Sequence, residues 1–149
     1  MCRLRSMHPS LSGKYRHTKG LRFDESHYIL ILSQSSRGGV KLQNPYLPYP
    51  VRIEEIITET EDKNLKTFKL VFLNPDDEKK FNYSAGQFAE LSIAGKGEIP
   101  IGIASSPTEK GFLMFTVNKV GLVTSHLHNM KPGDIMGVRG PLGNWYPWD

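Results

Sequence analysis

The chain of 149 residues contains a single cysteine, Cys2. One thiol cannot form an internal disulfide, and it excludes a site built from several thiolates, such as a four-cysteine iron–sulfur cluster or a zinc ribbon. Long apolar runs are lacking as well. The longest, Tyr28–Leu32, has five residues, far short of the roughly 18 that a membrane span needs. It also sits too late for a secretory signal and has no small-residue cleavage pattern behind it. The expected location is therefore the cytoplasm, with no membrane contact.

The residues present are those of a globular chain: 38% apolar and 23% charged, well away from the composition of disorder. The length suits one domain that buries roughly two-thirds of its unfolded surface. The net charge of +4 is unevenly spread. Residues 1–43 carry eight Lys and Arg against Asp24 and Glu25, a balance of +6, whereas residues 44–149 carry −2. The high isoelectric point thus belongs to the first segment and says little about the domain after it. Residues 1–43 keep no period of 2 or 3.6 and read as a basic, disordered extension. The proline-rich run Asn44–Pro50 reads as an extended lead-in, because each proline removes a donor and turns its predecessor away from helix.

From Val51 onward the pattern is β. Val51, Ile53 and Ile56-Ile57 mark a first strand, and Leu65–Leu73 alternates as a second. Asn74-Pro75-Asp76-Asp77 with the charges after it reads as a solvated turn. Strands follow at Gln87–Ile93, Ile99–Ala104, Phe112–Val117 and Ile135–Val138. Only Leu122–Met130 reads as helix, with Val123, Leu127 and Met130 on one face and Lys131-Pro132-Gly133 as its stop. Six short strands with turns every eight to twelve residues predict an all-β barrel or sandwich. His126 and His128, two apart, lie roughly 200° around a helix from each other and do not converge on a metal. Both are expected at the surface, and no metal site is expected in the chain. Trp145, Tyr146 and Trp148 form a terminal aromatic cluster, expected over one end of the fold.

The stretch richest in chemistry is Gly121-Leu122-Val123-Thr124, which follows a strand and opens the helix. A helix start exposes unpaired N–H groups and the positive end of the dipole, and suits a phosphate. Taken alone, it is also consistent with a glycine turn and an ordinary threonine cap. Its neighbours add weight by their order: Ser84-Ala85-Gly86-Gln87-Phe88, then Pro100-Ile101-Gly102-Ile103-Ala104-Ser105-Ser106-Pro107, then Pro132-Gly133-Asp134, then Gly140-Pro141-Leu142-Gly143-Asn144.

This succession resembles the flavin-binding barrel of the ferredoxin–NADP reductase superfamily, most of all the gamma or B subunits attached to hydrogenases, heterodisulfide reductases and sulfite reductases. The resemblance covers residues 44–149. It implies a six-stranded antiparallel Greek-key barrel with one short helix, like that of riboflavin synthase, binding FAD or in some members FMN. It places Pro100, Ile101, Gly102 and Ile103 along the isoalloxazine ring, with Thr116, Val117 and Asn118 at the next contact. Gly121, Val123 and Thr124 fall at the pyrophosphate, and Lys119 is near enough to add charge there. The family's Arg-x-Tyr-Ser pattern falls on Ile99, Pro100, Ile101 and Gly102, so the arginine, the aromatic ring and the serine hydroxyl are all missing. The backbone N–H groups of Gly102 and Ile103 remain, and one of them can stand in for the hydroxyl at the flavin N5.

The resemblance further implies an electron-transfer module passing electrons between nicotinamide and an iron–sulfur partner subunit. No G-x-G-x-x-G occurs in the chain, so the NAD(P)-binding half is expected on another domain or subunit, and the chain alone is expected to be inactive. A second reading is a non-enzymatic barrel that binds nucleic acid through its basic arm. The negative balance of residues 44–149 speaks against it.

Overall fold

A computed structural model of the chain describes residue 44 and residues 46–147. The basic segment 1–43, with Cys2, three of the five histidines and the Tyr28–Leu32 patch, lies outside the described residues, as does Trp148. The elements run β1 (Tyr49–Thr58), β2 (Leu65–Phe72), α1 (Pro75–Lys80), β3 (Phe88–Ile93), β4 (Gly97–Gly102), β5 (Leu113–Asn118), α2 (Leu122–Asn129) and β6 (Ile135–Leu142). The six strands form one sheet in the order β4-β3-β6-β1-β2-β5, and every pair is antiparallel. β1–β2 and β3–β4 are sequential neighbours, and β6 returns late to lie between them, which is a Greek-key crossing. The class is all-β, as the strand pattern predicts.

The core follows from the alternation. On β5, Leu113, Phe115 and Val117 point inward while Thr116 and Asn118 face out. Phe68, Leu70, Leu91, Phe115, Met136 and Val138 are fully buried around the same centre. The phase slip on β1, from Val51 and Ile53 to Ile56, has a physical cause. The register against β2 shifts between Ile53 and Glu55, so Glu54 is the extra residue of a bulge. Freed from pairing, Glu54 meets Lys69 of β2 at 2.9 Å.

Two expectations need correction. The polar run after Asn74 is the short helix α1, not a turn. Asn74 caps it by accepting from the Asp76 N–H, Pro75 fills the first turn, and acids precede bases along it. Those are the ordinary helix-start signals; with no residue buried, α1 has no apolar stripe to reveal it. The other correction is His128, which is buried rather than at the surface. Its ring packs edge-on to Phe68 with centroids 5.8 Å apart, and its Nε2 lies 2.9 Å from the Val117 carbonyl oxygen.

Candidate cofactor-binding site

β4 and β5 are the two edges of the sheet. No ladder joins them, so the barrel stays open along a seam between these strands. It is bridged beyond the C-terminal end of β4, where the Ala104 N–H donates to the Met114 carbonyl at 2.8 Å. The other end of the seam is occupied by the start of α2. A Cβ built on Gly97, at the head of β4, would lie 3.5 Å from the Val123 side chain. Ile99, Ile101, Ile103 and Val123 all pack against the one core.

α2 is fixed by its buried side chains Thr124, Leu127 and His128, and by Lys66 of β2, whose ammonium donates to the His128 carbonyl at 3.1 Å. That cation sits at the negative end of the helix, where it is stabilising. At the positive end the N-cap is Gly121, in extended conformation. The Thr124 hydroxyl accepts from the N–H groups of Val120 at 3.0 Å and Gly121 at 2.8 Å. It donates to the Gly121 carbonyl at 3.0 Å. The N–H groups of Leu122 and Val123, in the first turn, have no intrahelical acceptor. A Cβ at Gly121 or at Gly102 would meet nothing within 4 Å. The helix start and the end of β4 both border open space.

The structure divides the sequence-predicted site residues by what they can offer. Pro100, Ile101 and Gly102 lie on β4, with Ile103 just beyond it; Pro100 and Gly102 are exposed, and Ile101 and Ile103 half-buried. Thr116, Val117 and Asn118 lie on the opposite edge. The Val117 side chain is fully buried in the core, and the Thr116 hydroxyl is 2.8 Å from that of Thr67. Gly121, Val123 and Thr124 open α2, but the Thr124 hydroxyl is committed to its own turn. Around the helix start the free donors are therefore backbone N–H groups rather than this hydroxyl.

Other residues brace the site, and the sequence marked none of Ser92, Tyr83 and Arg139 among them. Arg139 of β6 reaches across β3 to Glu98 of β4 at 2.9 Å, and the Ser92 hydroxyl donates to the same carboxylate. The Arg139 guanidinium, helped by that hydroxyl, holds the Glu98 carboxyl below its usual range. The glutamate of the Gly97-Glu98 lead thus braces the start of β4. Tyr83 braces the far end, its phenol 2.9 Å from the Ser105 hydroxyl. Burial pushes that phenol above its ordinary value. The loop before β3 is tied to the C-terminal run as well. Ser84 donates its N–H to the Gln87 amide oxygen, the Gln87 amide donates to the Gly143 carbonyl, and the Tyr146 N–H donates to the Ala85 carbonyl. Gly86 has φ +95°, and an added Cβ would lie 3.0 Å from the Tyr146 ring. The glycine motifs on either side of this contact are conformational necessities.

An antiparallel barrel open along one seam, with a helix start beside it, brings backbone donors and the positive end of a helix dipole to one place, an arrangement that suits an anionic ligand. Comparison with known proteins agrees. The profile of the family described as oxidoreductase FAD-binding domain matches residues 52–146, and the chain belongs to that family. Its cofactor is FAD, and the nucleic-acid reading finds no support. The gamma subunit of sulfhydrogenase 1 from Pyrococcus furiosus is 42% identical over 106 residues, which are 71% of this chain and 36% of that protein. A probable dihydroorotate dehydrogenase B (NAD(+)) electron transfer subunit from Methanocaldococcus jannaschii is 38% identical over 99 residues, 66% of this chain and 33% of that one. Among solved structures, an NADH-dependent reduced ferredoxin-NADP oxidoreductase, described for flavin-based electron bifurcation, superposes with a TM-score of 0.55 at 28% identity. That match covers 74% of this chain and 36% of the other. The ferredoxin-NADP+ reductase of Plasmodium falciparum shares the fold, with a TM-score of 0.57 at 16% identity over 71% of this chain and 42% of that one. The chain spans about a third of the length of the curated relatives it matches. Among the described residues, no helix is long and apolar enough to cross a membrane, and no group of three or more His, Cys, Asp or Glu is placed to hold a metal.

Proposed function

We propose that residues 44–149 are the FAD-holding part of an NAD(P)H-linked electron-transfer protein, and that the site is the seam between β4 and β5. The observation that supports this most is the start of α2, where the Leu122 and Val123 N–H groups have no intrahelical acceptor and open space lies at Gly121. They suit the pyrophosphate, whose two charges the helix start stabilises. Lys119 adds a cation one turn before them. The β4 run from Pro100 to Ile103 lines the ring, with the backbone of Gly102 and Ile103 in place of the missing serine hydroxyl. Thr116, Val117 and Asn118 bound the seam from β5, chiefly through the backbone and the Asn118 amide. Bound flavin supplies the redox chemistry, taking electrons in pairs and releasing them singly. The chain's task is to bind, to orient and to keep water from one face of the ring. The hydride donor is proposed to be a nicotinamide held by another domain or subunit, and the acceptor an iron–sulfur subunit. This agrees with the relatives named as subunits of sulfhydrogenase and as electron transfer subunits.

The test is to saturate the chain with FAD or FMN, remove free flavin by gel filtration and record the visible spectrum. Stoichiometric FAD is expected, and FMN, with a single phosphate, is expected to bind more weakly. Leu122→Pro then isolates the helix start. Proline is tolerated in the first helical position and removes only the N–H, and the Leu122 side chain is 70% exposed, so little packing is lost. Weaker FAD binding by about tenfold, with an unchanged denaturation midpoint, is expected for the loss of one charge-assisted hydrogen bond. A folded chain that retains no flavin overturns the reading.

A further inference from the structure

We propose that Tyr83 is a positioning residue for the ring end of the seam, acting through Ser105 to set how far β4 stands from β5. The proposal rests on the flavin reading above. Tyr83 itself faces a cavity walled by Phe81 and Phe112 rather than the seam, so any effect on the flavin must pass through the Ser105 segment.

Three bonds hold the stretch that leaves β4. The Ile103 N–H donates to the Gln87 carbonyl at 3.1 Å, and the Ala104 N–H to the Met114 carbonyl at 2.8 Å. The third joins the Met114 N–H to the Ser105 hydroxyl at 3.1 Å. Ser105 is 7% exposed, and its oxygen also lies 2.9 Å from the Tyr83 phenol. That phenol is 2.9 Å from the Ser106 carbonyl and 3.2 Å from the Ser105 carbonyl.

Counting hydrogens orients the network. The carbonyls can only accept, and Tyr83 has one proton to give, so the arrangement that satisfies the most groups has the phenol donating to a carbonyl. The Ser105 hydroxyl receives the Met114 N–H, and its own proton is left to donate to the phenol oxygen. The result is one directed chain, Met114 N–H to Ser105 O–H to Tyr83 O–H to Ser106 carbonyl, running from β5 to the segment that follows β4. Without the phenol, a buried hydroxyl proton and a carbonyl lose their partners together, and Ser105 is free to turn away from Met114.

This closure matters more here than in a barrel that carries the Arg-x-Tyr-Ser pattern. With Ile101 and Gly102 in place of the aromatic ring and the hydroxyl, no polar side chain at those two positions grips the ring. Orientation then depends on where the backbone of Gly102 and Ile103 stands, and those residues lie directly ahead of the Tyr83-anchored stretch. Tyr83 also begins the loop whose Gln87 carbonyl accepts from Ile103, so one short segment fixes the end of β4 from both sides.

The experiment uses the full chain as wild type, Tyr83→Phe, Ser105→Ala and the double variant. Four quantities are compared: the FAD dissociation constant, the visible spectrum of the saturated protein, the two-electron potential of the bound flavin, and the urea midpoint without flavin. Tyr83→Phe is expected to weaken FAD about tenfold and to shift both the spectrum and the potential of the bound flavin. The double variant should be no worse than Ser105→Ala, because the two groups act in series. A lower urea midpoint with unchanged spectrum, potential and affinity overturns the proposal and makes Tyr83 merely structural. Additive losses also overturn it. Should Ser105→Ala fail to fold, Ser105→Thr, which keeps the hydroxyl, must leave the potential at the wild-type value. If wild type itself holds no FAD, the flavin reading fails and this proposal falls with it.

Discussion

Leu127→Ala tests whether α2 is held as a rigid cradle. Leu127 is fully buried, and Val123 and Met130, on the same helical face, are only partly so and pack against the core. The substitution removes three carbons from a site whose neighbours are strands fixed by their ladders, so the void collapses little. The expected loss is about 3 kcal/mol, within the range of about 2–5 for buried leucines. The consequence depends on which state absorbs it. If α2 undocks alone while the sheet persists, the urea midpoint changes little, and the competent population falls instead. Even a docked fraction of about one in ten raises the apparent FAD dissociation constant tenfold. If α2 is part of the global unit, the midpoint falls, the urea slope is unchanged and affinity in the folded protein holds. Urea unfolding and FAD titration on one preparation separate the two. A loss below about 1 kcal/mol with unchanged affinity would refute the packing argument, because it would mean that α2 does not depend on this side chain for its place.

Further expectations follow from individual contacts. Thr124→Val, which keeps the shape and removes the hydroxyl, leaves the Val120 and Gly121 N–H groups without their acceptor; it should cost about 1–2 kcal/mol by urea unfolding, with Thr124→Ser near wild type. Gly86→Ala forces a Cβ onto the Tyr146 ring at positive φ; a loss of about 2 kcal/mol and a changed near-ultraviolet circular dichroism signal are expected. His128→Ala should cost about 2–3 kcal/mol, since it removes both the contact with Phe68 and the bond to the Val117 carbonyl. The Glu98 carboxyl is held low by Arg139 and then Ser92, so its stabilisation is present above the ordinary carboxylate value and lost as pH falls below that value and through the lowered one. Arg139→Gln should therefore destabilise by less than about 1 kcal/mol at neutral pH, both partners being partly exposed, and the gap to wild type should close on acidification.

The sequence alone determined the elements that bury something. The alternation on β2 and β5 and the Val123, Leu127, Met130 face of α2 announce themselves because burial imposes the period. It also marked the helix start at Gly121, through the glycine, and the glycine motifs around Gly86 and Gly143. It missed α1, which buries nothing, and read His128 as a surface residue, because a histidine in a helical pattern does not say which partner its ring will meet. Tertiary structure alone decided that β4 and β5, adjacent in sequence, would stand at opposite ends of the sheet order and face each other across a seam. It also decided that the Thr124 hydroxyl would be spent on its own turn, and that Tyr83 would reach Ser105 from 22 residues away. These are matters of strand order and of which donor finds which acceptor across the chain. Local propensity carries no record of them, because the partners meet only after the sheet has formed.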